Sequence, residues 1–190
     1  LCISENSSSI KHIIATNEGS AIGLAIGNYL ATSSIPMVYL QNSGIGNIIN
    51  PIISLADPKV YGIPIILLVG WRGEINNKGI QLEDEPQHKK QGEITLKILE
   101  VLDIPYKVID SEIQNIDEIV SSSVNFAKKR QGPIAIVVKK KTFRSYKSSR
   151  KQITEKFRSF STREDIIREL IKHIPRKSPI ISTTGVTSRE

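Results

Sequence analysis

Cysteine and histidine are scarce in this sequence, which has one cysteine and three histidines among 190 residues. Cys2 has no partner for an internal disulfide, and His12, His88 and His173 are too scattered to form a metal-binding motif. Apolar runs such as 63–69 are far shorter than the roughly 20 residues that span a bilayer, and no signal-peptide pattern opens the chain. We therefore expect a soluble, cytoplasmic protein without a membrane partner, and no metal site in this chain.

Positive charge is distributed unevenly along the chain, whose net charge is +7. Acidic residues outnumber basic ones over residues 1–127, whereas lysine and arginine dominate over residues 128–190. The basic excess lies among serines with few apolar residues between, which is typical of a solvated linker. Its aromatic residues follow no known pattern for binding single strands, so we do not expect a nucleic-acid partner.

Short apolar runs alternate with segments of helical length, which predicts an α/β fold with a parallel sheet covered by crossover helices. The predicted strands are residues 12–15, 36–41, 64–70, 105–109 and 133–139. The predicted helices are residues 18–31, 46–56, 86–102 and 116–130. The strands are continuously hydrophobic, which indicates burial on both faces. Proline opens four of the five strands, a position where the missing N–H is tolerated.

The end of the sequence has the pattern of a second domain. Ser161 and Glu164 have the spacing of a capping box, which predicts a helix to about residue 174. Residues 178–185 then have the pattern of a strand that runs into a glycine turn. The sequence therefore predicts an α/β domain over residues 1–139, a basic linker over 140–160 and the start of a second domain over 161–190.

Glu18 lies between the first predicted strand and helix, beside glycines spaced four residues apart at Gly19, Gly23 and Gly27. Glycine costs about 1 kcal/mol relative to alanine in a helix interior, so this face indicates close approach of another backbone. That backbone belongs either to the domain's own sheet or to a second subunit. Glu18 is either a functional carboxylate or an acid favoured by the helix dipole in a first turn.

Polar and glycine residues follow the strand over 36–41, where Gln41, Asn42, Ser43 and Gly44 precede a predicted helix. Ligands of open α/β sheets bind outside the carboxyl ends of strands, and glycine lets them approach the backbone. The other interpretation is a tight strand-to-helix turn. Gly-x-Gly without a third glycine does not support a dinucleotide site, so we do not expect NAD.

Arg72 and His88 lie in a long polar loop after the strand over 64–70 and near the start of the next predicted helix. Long loops in compact domains are often functional. An arginine binds phosphonate, sulfonate or carboxylate through two hydrogen bonds, and a histidine donates a proton or a hydrogen bond. The alternative is that both are ordinary surface groups.

Taken in order and spacing, these segments resemble the pyrimidine-binding (Pyr) domain of thiamine diphosphate-dependent decarboxylases, nearest to the branch that acts on phosphonopyruvate and then to that acting on sulfopyruvate. The similar segments are residues 17–19, 27–32, 39–47, 69–74 and 84–88. The resemblance covers residues 12–138 and resumes over residues 161–190, where 182–190 resemble the opening of the family's diphosphate-binding (PP) domain. It implies a flavodoxin-like parallel sheet flanked by helices. It also implies a homo-oligomer whose active sites form between a Pyr domain and the PP domain of another subunit.

The resemblance implies roles for individual residues. Glu18 would be catalytic, because the family's glutamate hydrogen-bonds the cofactor's aminopyrimidine ring and promotes the tautomer that deprotonates the thiazolium carbon. Arg72 and His88 would bind the anionic end of a 2-oxo acid that carries a phosphonate or sulfonate group. The expected contacts with thiamine diphosphate are Glu18, Gln41, Asn42, Ser43 and Gly44.

The sequence departs from the family's pattern at both ends. The family's chain begins with an additional strand and helix, and its Gly-Asp-Gly motif and downstream asparagine, which bind Mg²⁺ and the diphosphate, would lie beyond Glu190. We therefore expect this chain to be inactive by itself and to need a PP domain in cis or in a partner chain. The first hypothesis is the Pyr part of an enzyme that converts 3-phosphonopyruvate to phosphonoacetaldehyde and CO2. The alternatives are a subunit of a sulfopyruvate decarboxylase and a non-catalytic α/β interaction domain.

Overall fold

The structure is a computed structural model that describes residues 10–76, 78–144, 163–173 and 175. The chain divides into two compact units, Leu1–Lys147 and Ser148–Glu190. The first unit has an α/β fold with one β-sheet. In the second unit the described residues form the helix α5, Arg163–His173, whose exposed face carries the ion pairs Asp165–Arg168 and Glu169–Lys172.

The first unit alternates helices and strands. Asn17 accepts a hydrogen bond from the Ser20 N–H and so caps the first helix, and Asn115 caps the fourth in the same way through the Glu118 N–H. A 3-10 turn, Asn42–Gly44, joins the first strand to the second helix, which continues as the π-helical stretch Ile52–Ala56. In chain order the elements are α1 Glu18–Thr32, β1 Met37–Gln41, α2 Ile45–Pro51, β2 Ile66–Gly70, α3 Pro86–Val101, β3 Tyr106–Ile109, α4 Ile116–Arg130 and β4 Ile134–Val138.

The four strands form one parallel sheet in the order β1-β2-β4-β3. Gln41 pairs with Gly70, Gly70 with Val138, and Val138 with Ile109, so all four strands end at the same level. The segments that follow β1, β2 and β4 therefore leave the sheet side by side, at its carboxyl edge. This is the edge at which open α/β sheets bind their ligands.

Each face of the sheet packs into its own hydrophobic core. Alternate residues of β2 and β4 point to opposite faces, as the pleat requires. Leu67 and Val137 join the core beneath α1, α2 and α3, while Ile66 and Ile136 join the core beneath α4. All five residues of β4 are buried, which confirms the predicted two-sided burial for the central strands. At the edge strands the same expectation is wrong, because Met37 and Tyr39 of β1 and Val108 of β3 are exposed.

The predicted strand over residues 12–15 is wrong, because this segment has no regular secondary structure. Ile13 and Ile14 are 53% and 86% exposed, and the segment touches β1 through a 2.6 Å hydrogen bond between His12 Nε2 and the Tyr39 hydroxyl. Hydrophobic, β-branched residues favour a strand, but a strand exists only where backbone pairing is made, and that depends on a neighbour outside the local sequence.

The other boundaries shift slightly. β1, β3 and β4 begin one residue after proline, and β2 begins two residues after Pro64. Proline cannot donate to a ladder, yet the carbonyl oxygens of Pro36 and Pro105 accept bonds from Ile66 and Ala135. The prolines therefore precede the strands instead of opening them.

Several expectations fall outside the described residues. They concern the capping residue Ser161, most of the basic linker and the strand over 178–185. The helix expected after the capping box is present as α5. None of the helices in the described ranges has the length and apolar character needed to cross a membrane.

Candidate functional site

Glu18 lies at the start of α1, where Asn17 caps the helix and the dipole favours a carboxylate. Its Oε2 accepts a hydrogen bond of 2.7 Å from the Asn47 side-chain amide of α2. The carboxylate lies against Gly44, where an added Cβ would come within 2.5 Å of Oε1. Any larger residue at position 44 would displace Glu18, so this glycine is required by the placement of the carboxylate.

The start of α1 and the start of α2 approach each other closely. A Cβ on Gly19 would lie 3.0 Å from the Asn47 carbonyl oxygen, so the predicted close approach of a backbone is confirmed at this glycine. Gly23 and Gly27 differ, because no atom of the described residues lies within 4 Å of a Cβ built on either. Of the two interpretations of this glycine face, packing on the domain's own sheet is therefore wrong for Gly23 and Gly27.

The turn after β1 directs its side chains to two sides. Gln41 and Ser43 are exposed, and the Gln41 amide donates to the Ser43 hydroxyl at 2.9 Å. Asn42 is 5% exposed, and its amide donates to the carbonyl oxygen of Arg72 and to the Thr95 hydroxyl, both at 2.9 Å. Its own oxygen accepts the Arg72 N–H at 3.1 Å. The structure therefore places Asn42 beneath the turn, as a link between the ends of β1 and β2 and helix α3.

Arg72 makes a bidentate ion pair with Asp84. Its Nε donates to Oδ2 at 2.9 Å and its Nη2 to Oδ1 at 2.5 Å, and the Gly73 N–H also donates to Oδ2. The side chains are 41% and 12% exposed, so the pair lies at the edge of the structure with Asp84 inside. The hydrogen bonds from Arg72 hold the pKa of the Asp84 carboxyl well below its usual range, and the pKa of the guanidinium is raised in return.

His88 lies in the first turn of α3. Its Nδ1 is 3.3 Å from the Gln91 side-chain oxygen and its Nε2 is 3.8 Å from a Glu85 carboxylate oxygen. The backbone beside it is tightly packed, because a Cβ on Gly73, which has a φ of +66°, would collide with the His88 carbonyl oxygen. The Arg72 loop and the start of α3 are therefore in backbone contact, although the Arg72 and His88 side chains have different partners.

A cleft of about 550 Å³ opens along the carboxyl edge of the sheet. Glu74, which is buried, joins two of the loops around it by accepting a hydrogen bond of 2.5 Å from the Lys140 N–H. The described lining contains neither Glu18 nor His88. It includes Tyr39, Gln41, Gly70, Arg72, Lys140 and Phe143.

The structure therefore places four of the expected site residues in two groups at one edge of the sheet, whereas Asn42 is buried beneath the turn and His88 lies outside the cleft. Glu18 and Gly44 form the first group, and Gln41 and Arg72 lie at the cleft. A carboxylate held against a glycine turn can accept a proton or a hydrogen bond from a flat ring. The cleft is lined by three basic side chains and three carboxylates, those of Arg72, Lys139, Lys140, Glu74, Glu83 and Asp84. Within the described ranges, no group of three histidine, cysteine or acidic residues is placed to hold a metal ion.

Two residues of this edge were not expected as site residues. Asn47 binds Glu18, and Asp84 binds Arg72. Both lie within the segments that carry the resemblance. A polar residue a few positions after a ligand-binding turn is a sequence signal that could have marked them as site residues. Their partners lie 29 and 12 residues away in sequence, so the pairing itself depends on the fold.

The chain is similar in sequence to known proteins. The family of the thiamine pyrophosphate enzyme N-terminal TPP-binding domain matches residues 2–99. The phosphonopyruvate decarboxylase of Streptomyces viridochromogenes is 27% identical over 95% of this chain and 46% of its own length. The sulfopyruvate decarboxylase subunit alpha of Methanococcus maripaludis is 35% identical over 68% of this chain and 71% of its own length. That of Methanocaldococcus jannaschii is 38% identical over 53% of this chain and 54% of its own length.

The chain spans about half the length of the phosphonopyruvate decarboxylases that it matches. The family match covers α1, β1, α2, β2 and most of α3, and so includes Glu18, Gly44, Asn47 and Arg72. The parallel sheet flanked by helices is the architecture expected of a Pyr domain. The chain therefore belongs to the thiamine pyrophosphate enzymes, as a member of their N-terminal TPP-binding domain family.

Proposed function

We propose that this chain is the pyrimidine-binding part of a decarboxylase that converts 3-phosphonopyruvate to phosphonoacetaldehyde and CO2. The observation that carries the proposal is the position of Glu18, whose carboxylate lies on Gly44 at the carboxyl side of the sheet. Family membership supports thiamine diphosphate as the cofactor. The identity to phosphonopyruvate decarboxylase along 95% of the chain supports the substrate.

The residues around Glu18 fit an aminopyrimidine ring. Oε2 is held by Asn47, while Oε1 accepts no hydrogen bond from any described residue. A Cβ on Gly46, two residues after Gly44, would meet no described atom within 4 Å, so the backbone at the start of α2 is open on that side. When bound, thiamine diphosphate supplies the electron sink that decarboxylation needs. In this proposal Glu18 holds a proton at the ring nitrogen, Gln41, Ser43 and Gly44 flank the ring, and Asn42 supports the turn from below.

Arg72 and His88 are proposed to bind the phosphonate end of the substrate. Arg72 has its guanidinium at the cleft, and two of its nitrogens are used by Asp84. The Arg72 Nη1 donates to no described residue, so one edge of the guanidinium group remains available to an anion. His88 lies outside the cleft lining but next to the Arg72 loop, so it would contact the phosphonate from the side of α3.

The remaining parts of the active site are proposed to come from a PP domain, in cis or in a partner chain. It would supply Mg²⁺ and the diphosphate contacts in a cytoplasmic oligomer, and the chain by itself would be inactive. The open face along Gly23 and Gly27 offers a surface for close packing of another subunit. A relative named as subunit alpha suggests that a separate chain can complete such an enzyme.

A sulfopyruvate decarboxylase subunit is the second candidate function. The observation in its favour is the 35% identity to a sulfopyruvate decarboxylase subunit alpha, higher than the 27% to a phosphonopyruvate decarboxylase. Phosphonate and sulfonate are both tetrahedral anions that an arginine binds in the same way. The cleft therefore accommodates either group, and substrate choice has to be measured.

The test is an assay of the complete natural protein, or of this chain together with its PP subunit, with thiamine diphosphate and Mg²⁺. We expect faster decarboxylation of 3-phosphonopyruvate than of 3-sulfopyruvate. The reverse preference would support the second candidate. An absence of thiamine diphosphate binding and of both activities would overturn both and leave a non-catalytic interaction domain.

A further inference from the structure

The hydrogen bond between Glu18 and Asn47 joins the starts of two helices. Glu18 is the first residue of α1 and Asn47 is the third residue of α2. The Asn47 amide nitrogen is 2.7 Å from Oε2, a short distance typical of a bond to an ionised acceptor. The two residues are 29 positions apart, so the bond exists only because the fold brings the helices together.

Backbone contacts restrict the geometry of this bond. A Cβ on Gly19 would lie 3.0 Å from the Asn47 carbonyl oxygen, and a Cβ on Gly44 would lie 2.5 Å from Glu18 Cδ. The helices therefore approach through glycine on both sides of the bond, and the carboxylate rests on a backbone surface. The bond is exposed, as is the Asn47 side chain, but the glycine contacts on either side restrict the two groups that it joins.

We propose that Asn47 is a positioning residue for Glu18. By holding Oε2, the amide fixes the plane of the carboxylate and leaves Oε1 as the oxygen that meets the cofactor's ring. This inference rests on the proposed function, because it takes Glu18 as the residue that contacts the pyrimidine. Asn47 itself touches no reacting atom in this scheme and acts through the orientation of Glu18.

The first experiment tests the contact in the chain without any cofactor. The side-chain amide resonances of ¹⁵N-labelled asparagines are compared between the wild type and Glu18→Gln. We expect the Asn47 amide to shift strongly, because its acceptor loses its charge, and the Asn50 amide to stay in place. Asn50 is the matched reference, since it is exposed on the same helix and bonds Ser54. An unmoved Asn47 resonance would overturn the proposal whether or not the protein is a decarboxylase.

The second experiment uses the complete enzyme and compares Asn47→Ala with Asn50→Ala. Loss of a hydrogen bond to a charged group predicts a kcat lower by about tenfold to a hundredfold for Asn47→Ala. The KM of the 2-oxo acid should change less than about twofold, because the orientation of Glu18 matters for the activation step and not for substrate binding. Asn50→Ala should keep both parameters.

A third measurement separates positioning from a structural role. The exchange rate of the thiazolium C2 proton of bound thiamine diphosphate is measured by quenched-flow NMR in both variants. Asn47→Ala should slow this exchange in proportion to its loss of kcat, while circular dichroism shows an intact fold. Normal exchange with reduced kcat, or a loss of activity matched by a loss of folded protein, would overturn the proposal. If the wild type also showed neither C2-proton exchange nor turnover, the proposed function itself would be refuted.

Discussion

Asn42 and Arg72 exchange two hydrogen bonds, although 30 residues separate them in the sequence. The side-chain amide of Asn42 donates to the carbonyl oxygen of Arg72 and accepts from its N–H, as a neighbouring strand would. A third bond, to Thr95, connects the same amide to α3. One side chain therefore extends the sheet past its last ladder bond and fixes the loop that carries Arg72.

Removal of this link should destabilise the domain. Asn42→Ala leaves the half-buried backbone N–H and carbonyl of Arg72 without their partner, and the Thr95 hydroxyl keeps only its bond to the Gln91 carbonyl oxygen. The free energy of unfolding should therefore fall by about 2–4 kcal/mol. Urea unfolding followed by Trp71 fluorescence measures this loss, because the indole lies beside the altered loop and bonds Gly92. Gln41→Ala is the control, since its amide is exposed, and its effect should stay within about 0.5 kcal/mol. Equal losses in both variants would contradict this account.

Gly44 and Gly46 offer a matched pair of substitutions. Gly44→Ala places a Cβ against the Glu18 carboxylate, so that side chain has to move and the variant should be less stable by about 1–3 kcal/mol. Gly46→Ala adds a Cβ in open space within α2 and should stabilise by about 0.4–1 kcal/mol. Thermal unfolding of the chain measures both. Two variants that shift the melting temperature in the same direction would show that Glu18 does not rest on Gly44.

The Asp84–Arg72 ion pair should make stability depend on pH in the acid range. The folded-state pKa of Asp84 is lowered by its hydrogen bonds, so its stabilising contribution is complete above the unfolded value of about 3.9 and is lost as pH falls below it. The difference in unfolding free energy between wild type and Asp84→Asn should therefore be constant from about pH 5 to 7 and shrink below about pH 4. Urea titrations at each pH measure it. A difference that grows toward low pH would give the pair the opposite sign.

Glu18→Gln keeps the size of the side chain and removes its ability to take a proton. In the complete enzyme, kcat should fall by about a hundredfold or more, which is the usual contribution of a positioned acid or base. The unfolding transition of the chain should change little, because the amide oxygen of the substituted side chain can still accept the hydrogen bond from Asn47. Glu93→Gln, at an exposed pair with Lys90, serves as the control and should leave kcat unchanged. Near-normal turnover of Glu18→Gln would refute the role proposed for this carboxylate.

Local signals in the sequence were sufficient for most of the fold. The bounds predicted for α4, residues 116–130, agree with the structure, because Asn115 caps its start and the chain turns left-handed at Gln131. All four strands of the sheet and the parallel order of elements also follow from short apolar runs. The segment over 12–15 has the same local character but no backbone partner in the described chain, and local character cannot supply one.

The candidate site depended more on tertiary contacts. The placement of Glu18 at a helix start was predictable, whereas its contact with Gly44 and Asn47 joins separate elements. Arg72 was expected to bind an anionic substrate, and its ion pair with Asp84 across a loop could not be predicted from the local sequence. Asn42 has the residue type of a ligand contact, yet the turn directs it inward. In each case the residue type was informative and its direction depended on the fold.

At Gly73 and Gly92, backbone packing alone restricts which amino acid can occupy the position. A Cβ on either glycine would collide with the backbone of the other segment, so no other amino acid fits at these two positions without separating the Arg72 loop from α3. A saturation mutagenesis screen scored by enzyme activity would therefore mark both as intolerant, as if they touched substrate. Both positions would also be intolerant in a screen scored only by the amount of folded protein. Residues that carry out the chemistry would be intolerant in the activity screen alone, so a comparison of the two screens separates them from these two glycines.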